Sequence, residues 1–140
     1  VTDHTADLLA LRYLVERYPK GCDTRDAALL ATVFADGATV TVNWTDRPPS
    51  TMHMPDDLAR IPTGLARYEK TLHFVGNHRA EIDGDDAVGE TYCLAHHILD
   101  GNDHVMAIRY QDAYRRTPDG WRLLRRELLV DWTQDLPVNR

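Results

Sequence analysis

Four long runs of alternating apolar and polar residues, 71–82, 86–99, 104–116 and 120–132, fill the second half of the sequence. Between them stand Asp83-Gly84-Asp85, Asp100-Gly101-Asn102 and Pro118-Asp119-Gly120. Glycine beside aspartate or asparagine readily supplies the positive φ angles of a tight turn, so the pattern predicts an antiparallel meander. Runs this long exceed the usual strand of about five or six residues. A sheet built from them must coil, and it can wrap into a cone whose open end is a natural pocket.

The first half reads differently. Leu8, Leu11, Leu14, Val15 and Tyr18 recur at helical spacing, which predicts a helix over 5–18 ended by Pro19 and Gly21. Thr24 is placed to cap a second helix that buries Leu30, Val33 and Phe34. Asp36-Gly37 predicts a turn, 38–44 a short strand, and the Arg47-Pro48-Pro49-Ser50 segment a loop over 45–53. A third helix is expected from Pro55, interrupted at Pro62. Helices first and a meander after them define an α+β class: a cone-shaped α+β barrel, with N-terminal helices packed on a curved, mostly antiparallel sheet. At 140 residues the expectation is a single domain over 1–140, its core about 5–133.

Composition excludes several functions. Two cysteines, Cys22 and Cys93, make neither a disulfide framework nor a metal-type cluster, which points to a reducing, cytoplasmic setting. No apolar run approaches the about 18 residues of a membrane span, and Val1-Thr2-Asp3-His4 lacks the basic-then-apolar order of a secretory signal. Net charge is −6 with basic residues scattered among acids, so neither nucleic acid nor a membrane is an expected partner. A small molecule is.

Strand parity assigns the inward side chains. Over 86–99, Gly89, Thr91, Cys93, Ala95 and His97 share one face, small up to its last member, and that face is assigned to the cavity. His96 then points outward with Tyr92 and Leu94. That apolar outer face leads us to expect a homodimer or a higher homo-oligomer. On the last strand Leu124, Arg126, Leu128, Val130 and Trp132 form the more apolar face, so Arg126 is the charge assigned inside. An arginine among leucine and valine needs an anionic partner, either a protein carboxylate or a substrate anion.

Arg17-Tyr18, Cys22-Asp23-Thr24-Arg25-Asp26, Val33-Phe34-Ala35-Asp36-Gly37-Ala38, His73-Phe74-Val75-Gly76-Asn77, Ile82-Asp83-Gly84-Asp85-Asp86-Ala87, Tyr110-Gln111-Asp112-Ala113-Tyr114-Arg115-Arg116 and Asp119-Gly120-Trp121-Arg122 occur in this order. Together they resemble the SnoaL-like proteins of the nuclear transport factor 2-like superfamily, over about residues 8–132. The resemblance implies the same α+β cone with a deep pocket. Among the family's enzymes are scytalone dehydratase, bile-acid dehydratases and hexachlorocyclohexane dehydrochlorinase. Their aspartate after the first helix and histidine opening the first long strand fall on Asp23 and His73. A second pocket histidine falls on His97 and a pocket tyrosine on Tyr18. The polar pair that scytalone dehydratase carries on its third long strand is replaced by Ile108 and Tyr110, which speaks against scytalone as substrate. The carboxylate base of ketosteroid isomerases has no counterpart in 38–44.

An Asp–His pair is a general acid–base device: the carboxylate fixes the imidazole tautomer and stabilises its cation, while the free nitrogen takes a proton from carbon. The resemblance thus implies a lyase or isomerase of the dehydratase kind, free of metal and cofactor, acting on an apolar hydroxy-carbonyl compound such as a steroid or polyketide. Asp23, His73, Tyr18 and His97 are the candidate catalytic residues, with Tyr18 or His97 as donor on the oxygen side. Tyr110, Arg126, Ile108, Cys93 and Leu128 are the candidate substrate-binding residues. Two other readings stay open: a metal held by Asp23, His73 and His97, and a non-catalytic binding or structural subunit of the same fold. The remaining histidines, His4, His53, His78, His96 and His104, read as surface residues.

Overall fold

All four meander strands are present: β3 (Lys70–Asp83), β5 (Asn102–Thr117) and β6 (Gly120–Pro137) extend past their sequence patterns, and β4 (Asp86–Leu99) coincides with its own. The computed structural model describes residues 2–139. Ahead of the meander come α1 (Thr5–Thr24), α2 (Ala27–Ala31), β1 (Phe34–Asn43), β2 (Ser50–His53) and α3 (Arg60–Leu65). The strands form one sheet in the order β2-β1-β6-β5-β4-β3, antiparallel throughout except for the parallel pair β1 and β6. Gly84 and Gly101 take positive φ in the first two hairpins, as their turns require.

The first half departs from its sequence reading in five places. Helix α1 runs through Pro19 and Gly21, which are buried against the rest of the molecule, and ends at Arg25 in the left-handed conformation. Tertiary packing of the Leu11, Leu14, Val15 and Tyr18 face outweighs the local break. Asp26 rather than Thr24 caps α2, its carboxylate accepting from Leu29 N–H at 2.9 Å, while the Thr24 hydroxyl turns back to the Lys20 carbonyl. Gly37 lies inside β1, where a register shift absorbs its positive φ. Residues 50–53 are not loop but an edge strand paired to β1, just beyond the prolines that would forbid pairing. The third helix begins at Arg60, and Pro62 is accommodated in its first turn, where a missing N–H costs nothing.

Bulges correct the parity of β6 and β3. Tyr114 pairs with Leu123 and Ala113 with Arg125, so Leu124 is an extra residue, and Leu123 joins Arg126 on the inner face. A second shift, between Ala107 and Ile108, makes Asp131 the extra residue and turns Trp132 outward, where it is 60% exposed. One added residue reverses every later side chain. On β3 the shift between Val75 and His78 brings His78 to the inner side, half-buried beside Tyr114, rather than to the surface.

The core lies between α1 and the concave face. Leu11, Leu14, Val15 and Tyr18 meet inner residues of the sheet that include Ala95, Ile108, Tyr110, Tyr114 and Leu123. Arg12 Nη1 donates to the Gly76 carbonyl at 2.7 Å at the β3 bulge. Asp7 accepts from Arg116 at 2.7 and 2.8 Å and from Trp121 Nε1 at 2.9 Å, pinning the other end of the helix. The small residues of β4 give the helix and Tyr114 their room. A Cβ on Gly89 would sit 2.6 Å from the Arg79 carbonyl oxygen and 3.0 Å from Tyr114 Cε2. Gly89→Ala is therefore expected to destabilise the fold by about 1–3 kcal/mol, read as a lower urea midpoint at unchanged slope; an unchanged midpoint would show that β4 can shift freely.

Candidate active site

The cavity opens where α3, the 44–49 loop and the start of β3 leave the cone uncovered, and it holds about 470 Å³. Tyr18, His73, His97, Ile108, Tyr110 and Leu128 all line it. Asp23, from the last turn of α1, stands directly behind His73.

His73 Nδ1 donates to Asp23 Oδ1 at 2.7 Å, and the His73 backbone N–H donates to Oδ2 at 2.9 Å. The Thr71 hydroxyl also donates to Oδ1, at 2.9 Å. Partial burial would raise the Asp23 pKa, but the donors from His73 and Thr71 outweigh it and hold the carboxyl below its ordinary value. The ionised carboxylate fixes His73 with its proton on Nδ1, which leaves Nε2 as the unbonded nitrogen of a ring facing the cavity.

Arg25 builds the support for this pair. Its left-handed backbone turns the chain out of α1, with φ 55°, and its guanidinium reaches across to β3. Nη1 donates to Thr71 Oγ1 at 2.7 Å and to the Cys22 and Asp23 carbonyls; Nη2 donates to the Leu65 carbonyl at 3.0 Å. One side chain thus ties the end of α1, the end of α3 and the first inward residue of β3 together.

His97 is set differently. It is buried, and its Nδ1 donates to the His104 carbonyl at 3.0 Å on the neighbouring strand. Burial above all, with a smaller effect of nearby His73, pushes its pKa down to about 4. His97 is therefore neutral at pH 7 and presents an acceptor nitrogen, not the proton donor expected from sequence. The His73 and His97 rings meet edge to face at 5.5 Å, and Tyr68 lies 4.9 Å beyond His97.

The floor is built from neutral donors. Burial raises the hydroxyls of Tyr18 and Tyr110 well above their ordinary range. It pushes the Cys22 thiol up to about 12 and the Cys93 thiol up to about 11. Both cysteines are accordingly thiols at neutral pH, and nucleophilic thiolate chemistry does not belong here. Tyr110 donates to Cys93 Sγ, which lies behind the wall rather than in it.

Arg126 also lies behind the wall. Wholly buried, it donates from Nε and Nη2 to the two oxygens of Asp112, each at 2.8 Å. Its guanidinium is stacked between Tyr18 at 4.5 Å and Tyr110 at 4.1 Å. Of the two partners left open by the sequence, the protein carboxylate is the one it has. The site also includes Thr71, Arg25, Tyr68 and His104, which sequence reasoning did not select. Thr71 alone carried a usable signal, two residues before His73 and so on the same strand face.

The SnoaL-like domain profile matches residues 3–127, and the chain belongs to that family. Among solved structures, Kfla4162 from Kribbella flavida superposes with TM-score 0.83 at 26% identity, over 94% of this chain and 95% of that one. The LinA-type3 hexachlorocyclohexane dehydrochlorinase of Novosphingobium barchaimii gives TM-score 0.81 at 21% identity, over 94% and 90%. A scytalone dehydratase candidate of Novosphingobium aromaticivorans gives 0.79 at 20%, over 96% and 90%. The uncharacterized protein Rv2910c of Mycobacterium tuberculosis is 32% identical over 65 residues. That alignment covers 44% of each chain, so less than half the length of the curated relatives is spanned. No described helix is long and apolar enough to cross a membrane.

The buried His97 gives the fold an acid-side weakness. An unfolded chain takes up the histidine proton near about pH 6.5, whereas folded His97 resists it until about pH 4. Between these values the unfolded state binds more protons, so stability rises with pH across the window, by up to about 3 kcal/mol. Burial lowers the His78 pKa too, adding a slope of the same sign. Urea midpoints of the wild type should fall between pH 6.5 and pH 4.5, and less so in His97→Gln; equal slopes would contradict a buried neutral His97.

Proposed function

We propose that the protein is a cofactor-independent lyase of the dehydratase type, acting on an apolar hydroxy-carbonyl compound. The observation that carries this reading is the 2.7 Å contact from Asp23 to His73 Nδ1 on a ring that lines an apolar cavity. A carboxylate on Nδ1 of an imidazole that turns toward a cavity is the arrangement a general base requires. The dehydrochlorinase and dehydratase names among the fold relatives agree with it.

In this mechanism His73 Nε2 takes the proton on the carbon α to the substrate carbonyl. The ionised Asp23 stabilises the imidazolium that forms. The C–H electron pair becomes the new double bond as the β C–O bond breaks. The departing oxygen leaves with the proton that His73 has just acquired, so one water is lost and the base is restored. Tyr18, a neutral hydroxyl at every working pH, supplies the donor to the carbonyl oxygen. His97 accepts at Nε2 from the substrate hydroxyl and holds it beside His73. Ile108, Leu128 and Met106 surround the apolar body of the molecule.

The test is a panel of hydroxy-carbonyl steroids and polyketide-like alcohols assayed for the conjugated product. His73→Ala should abolish turnover. Asp23→Asn should keep ligand affinity and lose about 10²–10⁴ in kcat, because it preserves shape and removes the charge that stabilises the imidazolium. Binding without turnover on any member, with affinity unchanged in His73→Ala, would make the protein a ligand carrier instead.

The outer face of the sheet supports self-association. Phe74, Leu94, Ala107 and Trp132 are register partners on four neighbouring strands, making one apolar row, and Phe74 is 65% exposed. Leu72 and Tyr92 widen it. A row of this kind buried against a second copy gives a homodimer or higher oligomer. Light scattering behind size exclusion should report more than one chain per particle at micromolar concentration, and Trp132→Arg should shift it to monomer. A wild-type monomer would refute this assembly.

A further inference from the structure

The wall of the cavity carries a charge opposite to that of the chain. The sequence has 22 acidic and 16 basic residues. Among the described residues the lining nonetheless includes Arg47, Arg60 and Arg67, and no aspartate or glutamate. All three arginines stand on the segments that frame the mouth: the loop after β1, the first residue of α3, and the link from α3 to β3. The deeper wall is apolar or aromatic up to the histidines.

These cations are held ready rather than consumed. Arg47 stacks over Trp44 at 4.4 Å and meets Asp46 at 3.1 Å; Arg60 meets Asp57 at 3.5 Å. Both arginines are exposed, where an ion pair is weak and leaves most guanidinium donors unused. Asp57 has its second oxygen occupied by the His53 N–H at 2.9 Å. Arg67 lies over the Tyr68 ring at 4.7 Å and bonds its hydroxyl, and the same ring is 4.9 Å from His97. A cation at the rim is therefore joined to the candidate catalytic histidines through a single aromatic side chain. Two further carboxylates are engaged elsewhere: Asp135 is exposed and bonded to His104 Nδ1 at 3.0 Å, and Glu69, on the link from α3 to β3, accepts from the Asp100 N–H at 3.0 Å.

We propose that the cavity takes an amphipathic organic anion, whose apolar body fills the interior and whose carboxylate, or equivalent oxyanion, stays at the arginine mouth. Guanidinium groups match such oxyanions in two-point geometry. In a protein of net charge −6 the general field repels anions, so recognition has to come from these local groups. The identity of the reacting end rests on the dehydratase reading above; the preference for an anion does not.

A matched pair of fluorescent probes tests this: 1-anilinonaphthalene-8-sulfonate, and N-phenyl-1-naphthylamine, the same aromatic body without the sulfonate. The sulfonate should bind at least about tenfold more tightly at low ionic strength and lose that advantage in about 0.5 M salt. The triple variant Arg47→Gln/Arg60→Gln/Arg67→Gln should erase the difference and leave the neutral probe unchanged. Arg115→Gln, an exposed charge outside the cavity, should alter neither. Equal affinity for the two probes, or a sulfonate preference that survives the triple variant, would overturn the proposal. His73→Ala should keep the preference, so a failed turnover assay and a failed anion test are separate results.

Discussion

The guanidinium of Arg126 is the point on which the interior turns. It is wholly buried, bonded at two points to Asp112 on the adjacent strand, and clasped between a tyrosine of α1 and a tyrosine of β5. Burial alone would lower its pKa, but the Asp112 carboxylate raises it, so the charge is retained inside. A buried pair of this kind adds little net stability, yet losing one partner costs about 3–5 kcal/mol. The pair therefore acts as a constraint more than a reservoir. It fixes how closely Tyr18 and Tyr110 approach, and with them the depth of the cavity floor.

Above that floor the histidine pair depends on how α1 ends. Asp23 reaches His73 because the helix runs on past its proline and stops at Arg25, whose backbone turns left-handed. The Arg25 side chain then binds Thr71 and the carbonyl that closes α3. Thr71 and His73 both face inward and both bond Asp23. The geometry of the Asp23–His73 pair is thus set by the join of three elements, so the frame of the mouth and the placement of His73 move together.

The two faces of the sheet divide the remaining chemistry. On the concave side three polar groups are each oriented by a partner: Asp23 for His73, the His104 carbonyl for His97, Asp112 for Arg126. The convex side bears the apolar row from Phe74 to Trp132, flanked by the Arg109–Asp131 ion pair at 2.7 Å. Burial controls charge on one side, and on the other an apolar row is left exposed to water.

Much of this was legible in the residues themselves. The Asp-Gly and Pro-Asp-Gly turns specified the hairpins because few residues other than glycine tolerate the required φ, and the period-2 pattern of β4 told which side chains face inward. His97 inside and His96 outside follow from that alternation together with the small residues that share the His97 face. The Asp23 and His73 positions were legible through family resemblance. Parity on β6 was not, because Leu124 and Asp131 are extra residues that only the pairing with β5 reveals. Nor was the partner of Arg126, the end of α1 beyond Pro19, or the arginines gathered around the mouth. Local sequence determines turns, periods and face assignments, since these depend on φ preferences and on neighbours two to four residues away. Bulges, the buried ion pair and the charge of the cavity wall were decided by tertiary structure, because each arises from residues far apart in sequence that meet only once the sheet has coiled around the helix.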